Sequence, residues 1–238
     1  MRGPLAPRRA GDACDKRPWT RAPAAIKSGF VKTTQRRLPR RIREQQMIDA
    51  AVTAFSRGDY HSVRVEEIAE AAGTSKPTVY HYLGSKEGIF TACVHREGER
   101  LIAAIREAVH DPRARSGEDP LRRGMHAFFT FVTGNRESWT VLYRRAAVQG
   151  EPFAAEATRM RDRVMDEVAG LITSCTGGLL DEHGAKDAQL LARIAVSTAD
   201  AYADWLLDHP EESPDAMAGH VTELTWSHLR ARRAAPAP

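Results

Sequence analysis

Apolar residues recur at helical spacing along most of this 238-residue chain, and glycine and proline interrupt the pattern. No stretch alternates apolar and polar residues over several positions, which is the pattern that a half-buried strand requires. The sequence therefore predicts an all-α protein. At roughly 100–200 residues per domain, the length allows one large domain or two modest ones.

The interruptions divide the chain into successive predicted helices. Pro39 is expected to open the first helix, because a proline in the first turn lacks only an N–H that has no helical partner. Ile42, Ile48, Val52 and Phe55 then share its apolar face. The predicted segments are 39–58, 65–73, a short helix that Thr74 or Ser75 caps and Leu83 ends, 86–110, 121–133, 137–147, 153–172 (with a frayed tail to Gly177-Gly178), 185–208 and 215–232, the last with Val221, Leu224 and Leu229 facing inward.

Positive charge is concentrated at the N-terminal end. Residues 1–43 contain 13 basic and two acidic residues, although the whole chain has a formal charge of only +4. Residues 1–38 are rich in arginine, proline, alanine and glycine without any apolar period, which predicts a disordered basic tail. Two alternatives stay open: an arm that follows a DNA groove, or a native translation start at Val31.

Several classes of protein are disfavoured by composition and motif content. The three cysteines form no CxxC pair, so neither a disulfide framework nor a structural zinc site is indicated, and a reducing cytoplasm is expected. The apolar runs fall short of the 18 or so residues of a membrane span. No GxSxG, GxxxxGK[ST], HExxH or GxGxxG motif occurs. We therefore expect no membrane contact, no catalytic residue, no metal and no cofactor.

The most informative segment is VEEIAEAAGTSKPTVYHYLGSK, residues 65–86. Two short helices flank a turn at Ala72-Gly73-Thr74, where glycine permits the left-handed backbone of a tight turn. Ile68 and Ala69 on the first helix are expected to contact Val79 on the second. This arrangement is a helix-turn-helix, whose second helix enters the major groove of DNA.

The second helix presents polar and amphipathic side chains, and no acid occurs from Gly73 to Lys86. Lys76 and Thr78 can reach base edges, while the Pro77 ring can press on a thymine methyl. Tyr80 and Tyr82 cannot both face the same way on a helix, and the alternative that one of them is simply packed stays open. Helical hairpins with a glycine turn also occur in proteins that bind no DNA.

Residues 40–90 resemble the DNA-binding domain of TetR-family regulators. The resemblance rests on AAVTAF (50–55), VEEIAEAAGTSKPTVYHYLGSKEGIF (65–90) and the lone Gly58. It implies a three-helix DNA-binding domain at 39–85 and a larger helical ligand-binding and dimerisation domain at 86–233. It also implies a homodimer that binds a palindromic operator on double-stranded DNA, usually as a repressor. A small ligand would change the distance between the two recognition helices.

By position, the resemblance implies that Lys76, Pro77 and Thr78 meet bases and that the following polar residues meet the DNA backbone. At the position of Arg64, members of the family often have Thr or Ser, which caps the first helix of the motif. Two alternatives stay open: Ser62 caps that helix instead, or the helix lacks a side-chain cap and Arg64 contacts a DNA phosphate. The predicted DNA-binding residues are Arg64, Ser75, Lys76, Pro77, Thr78, Tyr80, His81, Tyr82 and Lys86.

Large apolar residues cluster in the middle of the larger domain. They form either ordinary core or the wall of an apolar pocket. The predicted ligand-binding residues are Met125, Phe128, Phe129, Val132, Trp139, Leu142 and Tyr143. Residues 38–51 and 135–143 resemble an actinobacterial branch that senses long-chain acyl-CoA, which implies such an effector or another apolar ligand.

The two last helices are predicted to form the dimer contact. In 185–208 the apolar residues spread beyond one stripe, which favours a second packing partner; they are Leu190, Ile194, Val196, Tyr202, Trp205 and Leu206. The alternative is that both helices are buried within one subunit. An alternative function is an architectural protein that binds DNA without sequence preference through its basic tail, although such a protein needs no large apolar appendage.

Overall fold

The computed structural model describes residues 39–114, 119–145, 150, 153–176 and 184–234. Over these ranges the regular secondary structure is helical and contains no β-strand, which confirms the all-α prediction. The predicted tail at 1–38 and the predicted end at Gly177-Gly178 lie outside the described residues. Among the helices described, none is both long and apolar enough to cross a bilayer.

Nine α-helices and one π-helical segment make up the described part of the chain. The α-helices are α1 Arg40–Arg57, α2 Val65–Ala71, α3 Lys76–Leu83, α4 Lys86–Val109, α5 Pro120–Gly134, α6 Arg136–Trp139, α7 Phe153–Thr176, α8 Gly184–Asp208 and α9 Pro214–Ala234. The π-helical segment, Thr140–Arg145, follows α6 directly. Most predicted boundaries agree with these to within a few residues.

Side-chain oxygens satisfy free N–H groups at the start of α3, α4, α5 and α9. In α9, the Ala216 amide donates to Ser213 Oγ at 3.1 Å. The Thr78 amide donates to Ser75 Oγ at 3.4 Å. The Gly88 amide donates to Ser85 Oγ at 3.1 Å, and the Leu121 amide donates to Asp119 Oδ1 at 2.9 Å. Of the two candidates for the cap of α3, the structure therefore selects Ser75.

The predicted continuous helix over 137–147 is wrong in its geometry. The α-helical hydrogen bonding ends at Trp139, and the next turn is π-helical through Arg145; Ala146 and Ala147 lie outside the described residues. A wider turn brings residues four apart almost into line along the axis, and the rings of Trp139 and Tyr143 stack with centroids 3.7 Å apart. Apolar spacing alone does not distinguish a π turn from an α turn.

Two hydrophobic cores organise the molecule. The first core lies among α1, α2, α3 and the first half of α4, and Val141 of the π-helical segment and Phe153 of α7 complete it. Phe55, Ile68, Val79 and Phe90 are fully buried there. The second core joins the rest of α4 to α5, α7, α8 and α9. Because α4 contributes to both cores, the predicted domain boundary at residues 85 and 86 stays a prediction.

A buried carboxylate lies where the two cores meet. Glu97 on α4 is fully buried, and its two oxygens accept hydrogen bonds from Arg96 and Arg100, each at 2.7 Å. Arg96 also pairs with Asp49 on α1, and Arg100 donates to Asn135 at the end of α5. The two arginines therefore compensate the buried charge and connect α1 to α5 through α4.

Two apolar residues expected on inner faces are exposed. Ile42 lies in the first turn of α1, before that helix reaches the core at Met47, and Leu224 faces outward from α9. The neighbouring Thr222 and Thr225 are buried instead, because their hydroxyls donate to the carbonyls four residues earlier at 2.7 and 2.8 Å. Val221 is buried as predicted, and the side chain of Leu229 lies outside the described residues.

Candidate nucleic-acid interface and interior cavities

The turn between α2 and α3 depends on the backbone conformation of Gly73. Its φ is +62°, in the left-handed region that residues with a Cβ rarely adopt. The Thr74 amide donates to the Ala69 carbonyl at 2.9 Å and closes the turn. A Cβ at Gly73 would meet nothing within 4 Å, so the requirement for glycine is conformational.

A small buried contact fixes α3 against α2. Ile68 and Val79 are fully buried and Ala69 is almost so, and all three belong to the first core. This is the contact that the sequence predicts for a helix-turn-helix. The opposite side of α3 is left facing outward, with Pro77, Tyr80 and His81 exposed.

Lys76, at the start of α3, is held by an acid on α2. Its Nζ donates to Glu66 Oε1 at 2.7 Å and lies 5.7 Å from the centre of the Tyr80 ring. The hydrogen bond raises the pKa of Lys76 and lowers the pKa of Glu66. Because both groups are at the surface, the pair is weak and a DNA phosphate or base can compete for the ammonium.

Tyr82 is the tyrosine of α3 that packs inside. It is half-buried against the first core, and the Arg40 guanidinium lies 5.5 Å from the centre of its ring. Tyr80, by contrast, is exposed. Of the two tyrosines, Tyr80 is thus the exposed one, and the predicted DNA contact of each stays a prediction.

Lys86 already has partners within the chain. Its Nζ donates to the His61 carbonyl at 3.2 Å and lies 4.8 Å from the centre of the Tyr60 ring. Desolvation by this partial burial lowers the pKa of Lys86. The lysine therefore braces the loop before α2, and its predicted phosphate contact stays a prediction.

The start of α2 has no side-chain cap. Ser62 Oγ donates to the Asp59 carbonyl at 2.9 Å, so the alternative in which Ser62 caps this helix is wrong. Arg64 is exposed, and its Nε donates to Glu67 Oε1 at 2.8 Å. The Ser62 hydroxyl is therefore hydrogen-bonded within the turn before α2, and the Arg64 guanidinium lies at the surface.

Two cavities in the second half of the described chain have mainly apolar linings, and the larger of these two lies between α4, the π-helical segment and α7. Its volume is about 210 Å³. Its lining residues are Gly98, Leu101, Tyr143, Ala154, Ala157, Thr158, Met160 and Arg161. Met160 packs on Gly98 so closely that a Cβ there would overlap the methionine side chain. Of the predicted ligand-binding residues, only Tyr143 lines this cavity.

A narrow apolar crevice lies among α4, α5, α7 and α8. It has a volume of about 10 Å³, room for about one water, and Met125 and Phe128 are in its wall. Phe129, Val132 and Trp139 are buried within the second core without lining either cavity, and the side chain of Leu142 lies outside the described residues. The predicted set is thus divided between cavity wall and ordinary core.

Charged residues that the sequence analysis missed stand at the wall of the larger cavity. Arg161 pairs with Asp200 of α8, and its NH2 donates to Ser197 Oγ at 3.5 Å. Burial raises the pKa of Asp200 to about 6, although Arg161 acts in the opposite direction. Burial also raises the pKa of Tyr143, and the charge of Asp200 adds to the effect. A signal existed in the sequence, because Asp200 is an acid between Ala199 and Ala201 in a helix rich in apolar residues.

The geometry defines a class of protein: a helix-turn-helix unit, with an outward-facing second helix, joined to a larger helical part that contains cavities. Two family models match the chain. "Bacterial regulatory proteins, tetR family" matches residues 47–93, and "Tetracyclin repressor-like, C-terminal domain" matches residues 118–228.

Individual relatives agree with the family models. A TetR-like transcriptional regulator from Rhodococcus sp. RHA1 is 39% identical with a TM-score of 0.66, over 82% of this chain and 99% of that one. The HTH-type transcriptional activator FasR of Mycolicibacterium smegmatis is 29% identical over 81% of this chain and 85% of its own. FadR from Bacillus subtilis in complex with stearoyl-CoA shares the fold, with a TM-score of 0.64 at 21% identity, over 76% of this chain and 96% of that one.

The chain belongs to the TetR family of bacterial regulatory proteins. It is therefore a DNA-binding transcriptional regulator that carries the family's helix-turn-helix. Both matching families are families of regulators, and neither indicates an enzyme.

Proposed function

We propose that this regulator acts in the cytoplasm as a homodimer that binds a palindromic operator through α3 and represses transcription there. A small, largely apolar effector that occupies the second half of the chain modulates or releases this binding. The observation that carries the proposal is an apolar stripe on α8 that is about half exposed in the described part of the chain.

Three large apolar side chains of α8 face outward. Leu190, Ile194 and Trp205 are 49%, 45% and 50% exposed, while Val196 and Leu206 of the same helix are buried. At about 100° per residue the three exposed residues fall within an arc of about 60°. Leu224 of α9, which packs against α8, is exposed as well. Contiguous exposed apolar surface of this kind typically marks an interface.

A second copy is the occupant that fits this stripe best. A closed twofold interface pairs the same surface on both subunits, so one self-complementary stripe is sufficient. Two copies related by a twofold axis would present two α3 helices to DNA. Half-sites separated by about one helical turn then give a palindromic operator.

The exposed face of α3 supports the assignment of DNA contacts. Lys76, Pro77 and Thr78 would meet base edges, with Ser75 fixing the first turn from which they project. The residues assigned to the DNA backbone are Tyr80, His81, Tyr82, Lys86 and Arg64. On binding DNA, Lys86 would either keep its hydrogen bond to the His61 carbonyl or exchange it for a phosphate. The same choice applies to Tyr82 and its contact with Arg40.

The effector assignment rests on the cavity between α4 and α7. Ligand pockets commonly measure about 300–1,000 Å³, and this cavity measures about 210 Å³. A long apolar ligand such as an acyl chain would therefore need Met160 to move, which its flexible, unbranched side chain permits. Acyl-CoA is one candidate, and FadR from Bacillus subtilis has been solved with stearoyl-CoA.

The dimer is tested by placing a charge in the stripe. Ile194→Glu should give a particle with the 26.3 kDa mass of one chain, whereas the wild type should have twice that mass. Gln189→Glu is the matched control, because it adds the same charge on α8 outside the stripe. Light scattering after size exclusion measures both, and a dimeric Ile194→Glu variant would contradict the proposed interface.

The sign of regulation is tested with a promoter reporter. Deletion of the regulator should raise expression from its operator, and addition of the effector should do the same. FasR is named an activator, and a fall in expression on deletion would assign that role to this chain as well.

A further inference from the structure

Within this proposed function, the structure also carries an inference about the chemical class of the effector. We propose that Arg161 binds the polar end of the effector and that Asp200 is the internal partner which this end displaces. The ligand class is an amphipathic acid: a carboxylate or equivalent anionic head on an apolar chain.

Among the described residues that line the larger cavity, Arg161 is the one with a positive charge. The other lining residues are apolar, apart from Tyr143 and Thr158. A guanidinium has five N–H donors, whereas Arg161 makes an ion pair with Asp200 and a long hydrogen bond of 3.5 Å to Ser197 Oγ. Donors therefore remain for a ligand, and a carboxylate matches their planar arrangement.

Asp200 is a poorly satisfied partner. Its side chain is only 18% exposed, and apart from the ion pair with Arg161 its carboxylate has no hydrogen-bond partner among the described residues. A buried carboxylate with acceptor sites left unpaired is unfavourable, so a ligand carboxylate can compete with it for Arg161. Burial and the nearby Asp204 raise the pKa of Asp200 to about 6, with Arg161 opposing them. Once separated from Arg161, the carboxylate can accept a proton from water and remain buried as a neutral acid.

Helices α4 and α7 line both the cavity and the crevice, which indicates the direction in which the apolar chain of the ligand extends. Leu101 of the cavity and Ile105 of the crevice lie one turn apart on α4. Met160 and Val164 have the same relation on α7, and one turn is about 5.4 Å. With its head at Arg161, a ligand that runs along these helices extends its chain towards Met125 and Phe128.

Volume limits the ligand that fits first. The cavity measures about 210 Å³, below the roughly 300–1,000 Å³ of common ligand pockets. The head and the first carbons of a chain fit this space, and a longer chain must open the crevice. Decanoate is therefore a suitable probe, and 1-decanol is the matched molecule without the carboxylate.

The test is calorimetric titration of the full-length protein with these two probes, without DNA. The wild type should bind decanoate at least about tenfold more tightly than 1-decanol, as expected for a charged hydrogen bond. Arg161→Met should lose that preference and bind both probes alike. Arg159→Met is the control, because Arg159 lies on the same helix, pairs with Glu156 and lines neither cavity.

Two further variants keep the inference falsifiable if Arg161→Met fails to fold. Arg161→Lys should recover part of the preference for decanoate, and Asp200→Asn should strengthen decanoate binding because the competing carboxylate is gone. Equal binding of decanoate and 1-decanol by the wild type, or no binding of either, would overturn the inference, as would an unchanged preference in Arg161→Met.

Failure of the inference is distinguishable from failure of the proposed function. Binding of decanoate that depends on Arg161 but leaves operator binding unchanged would support the inference and contradict effector control. Release of the operator by acid and alcohol alike, independent of Arg161, would support effector control and overturn the inference.

Discussion

In the first core, aromatic rings pack edge to face around Phe90, whereas the second core adjoins a cavity whose wall contains Arg161, the ion-pair partner of Asp200. The centroid of the Phe90 ring lies 4.9 Å from that of Phe55 and 4.7 Å from that of Phe153. In the second core, Arg161 and Asp200 adjoin a cavity of about 210 Å³. A cluster of aromatic rings in mutual contact favours one arrangement, which suits a helix that must meet DNA in a fixed register. The second core has room and an exchangeable contact, which suits a response to a ligand.

The largest expected effect contrasts the two packings directly. Phe90→Ala should lower the free energy of unfolding by about 3–5 kcal/mol, since it removes a fully buried ring from a dense aromatic cluster. Met160→Ala should cost about 2 kcal/mol, at the low end for such a change, because Met160 already borders a cavity. Urea unfolding followed by circular dichroism measures both. Equal losses would remove the contrast between the cores.

The buried charge of the second core should make stability depend on pH. The pKa of Asp200 is raised from 3.8 to about 6, so between these values the native state keeps a proton that the unfolded state has released. Stability from this group therefore falls as pH rises from about 4 to about 6, by about 3 kcal/mol at 1.4 kcal/mol per unit.

The Asp200→Asn variant isolates that contribution. The free energy of unfolding of Asp200→Asn, minus that of the wild type, should increase as pH rises through the same interval, because the amide does not titrate. Ser197→Ala is the control, because Ser197 lies on α8 like Asp200, contacts Arg161 and carries no charge. This variant should follow the wild-type pH dependence. A constant difference between Asp200→Asn and the wild type from pH 4 to 7 would argue against a buried, titrating carboxylate.

A smaller effect is expected at the turn of the helix-turn-helix. Gly73→Ala should cost about 1–2 kcal/mol, because φ is +62° although space for a Cβ is present. Gly134→Ala is the matched control, since it also has open space but no positive φ. Thermal unfolding compares the two, and equal stability of both variants would show that the turn relaxes without strain.

Much of the fold could be predicted from the sequence because its determinants are local. Apolar spacing, caps and Gly/Pro interruptions lie within a few residues of what they determine, so helix bounds and the turn at Gly73 agree with the structure. The buried contact among Ile68, Ala69 and Val79 was predictable for the same reason.

Contacts between distant segments were not predictable in the same way. Arg161 and Asp200 meet only because α7 packs on α8. The contact of Lys86 with the His61 carbonyl likewise depends on how the loop before α2 folds back. The cavity wall was assigned to α5 and the following segment, yet most of it comes from α4 and α7, because packing between helices leaves no local pattern.

Sequence-specific DNA binding by α3 is tested most directly by competition at increasing salt. A palindrome selected from random DNA and a scrambled version of it are compared by fluorescence anisotropy with the full-length protein. Phosphate contacts weaken with salt on both sequences, whereas base contacts preserve a preference. The account predicts a preference of at least about 10³-fold for the palindrome, retained as salt rises. Equal affinity for both sequences would contradict it and favour an architectural DNA-binding protein.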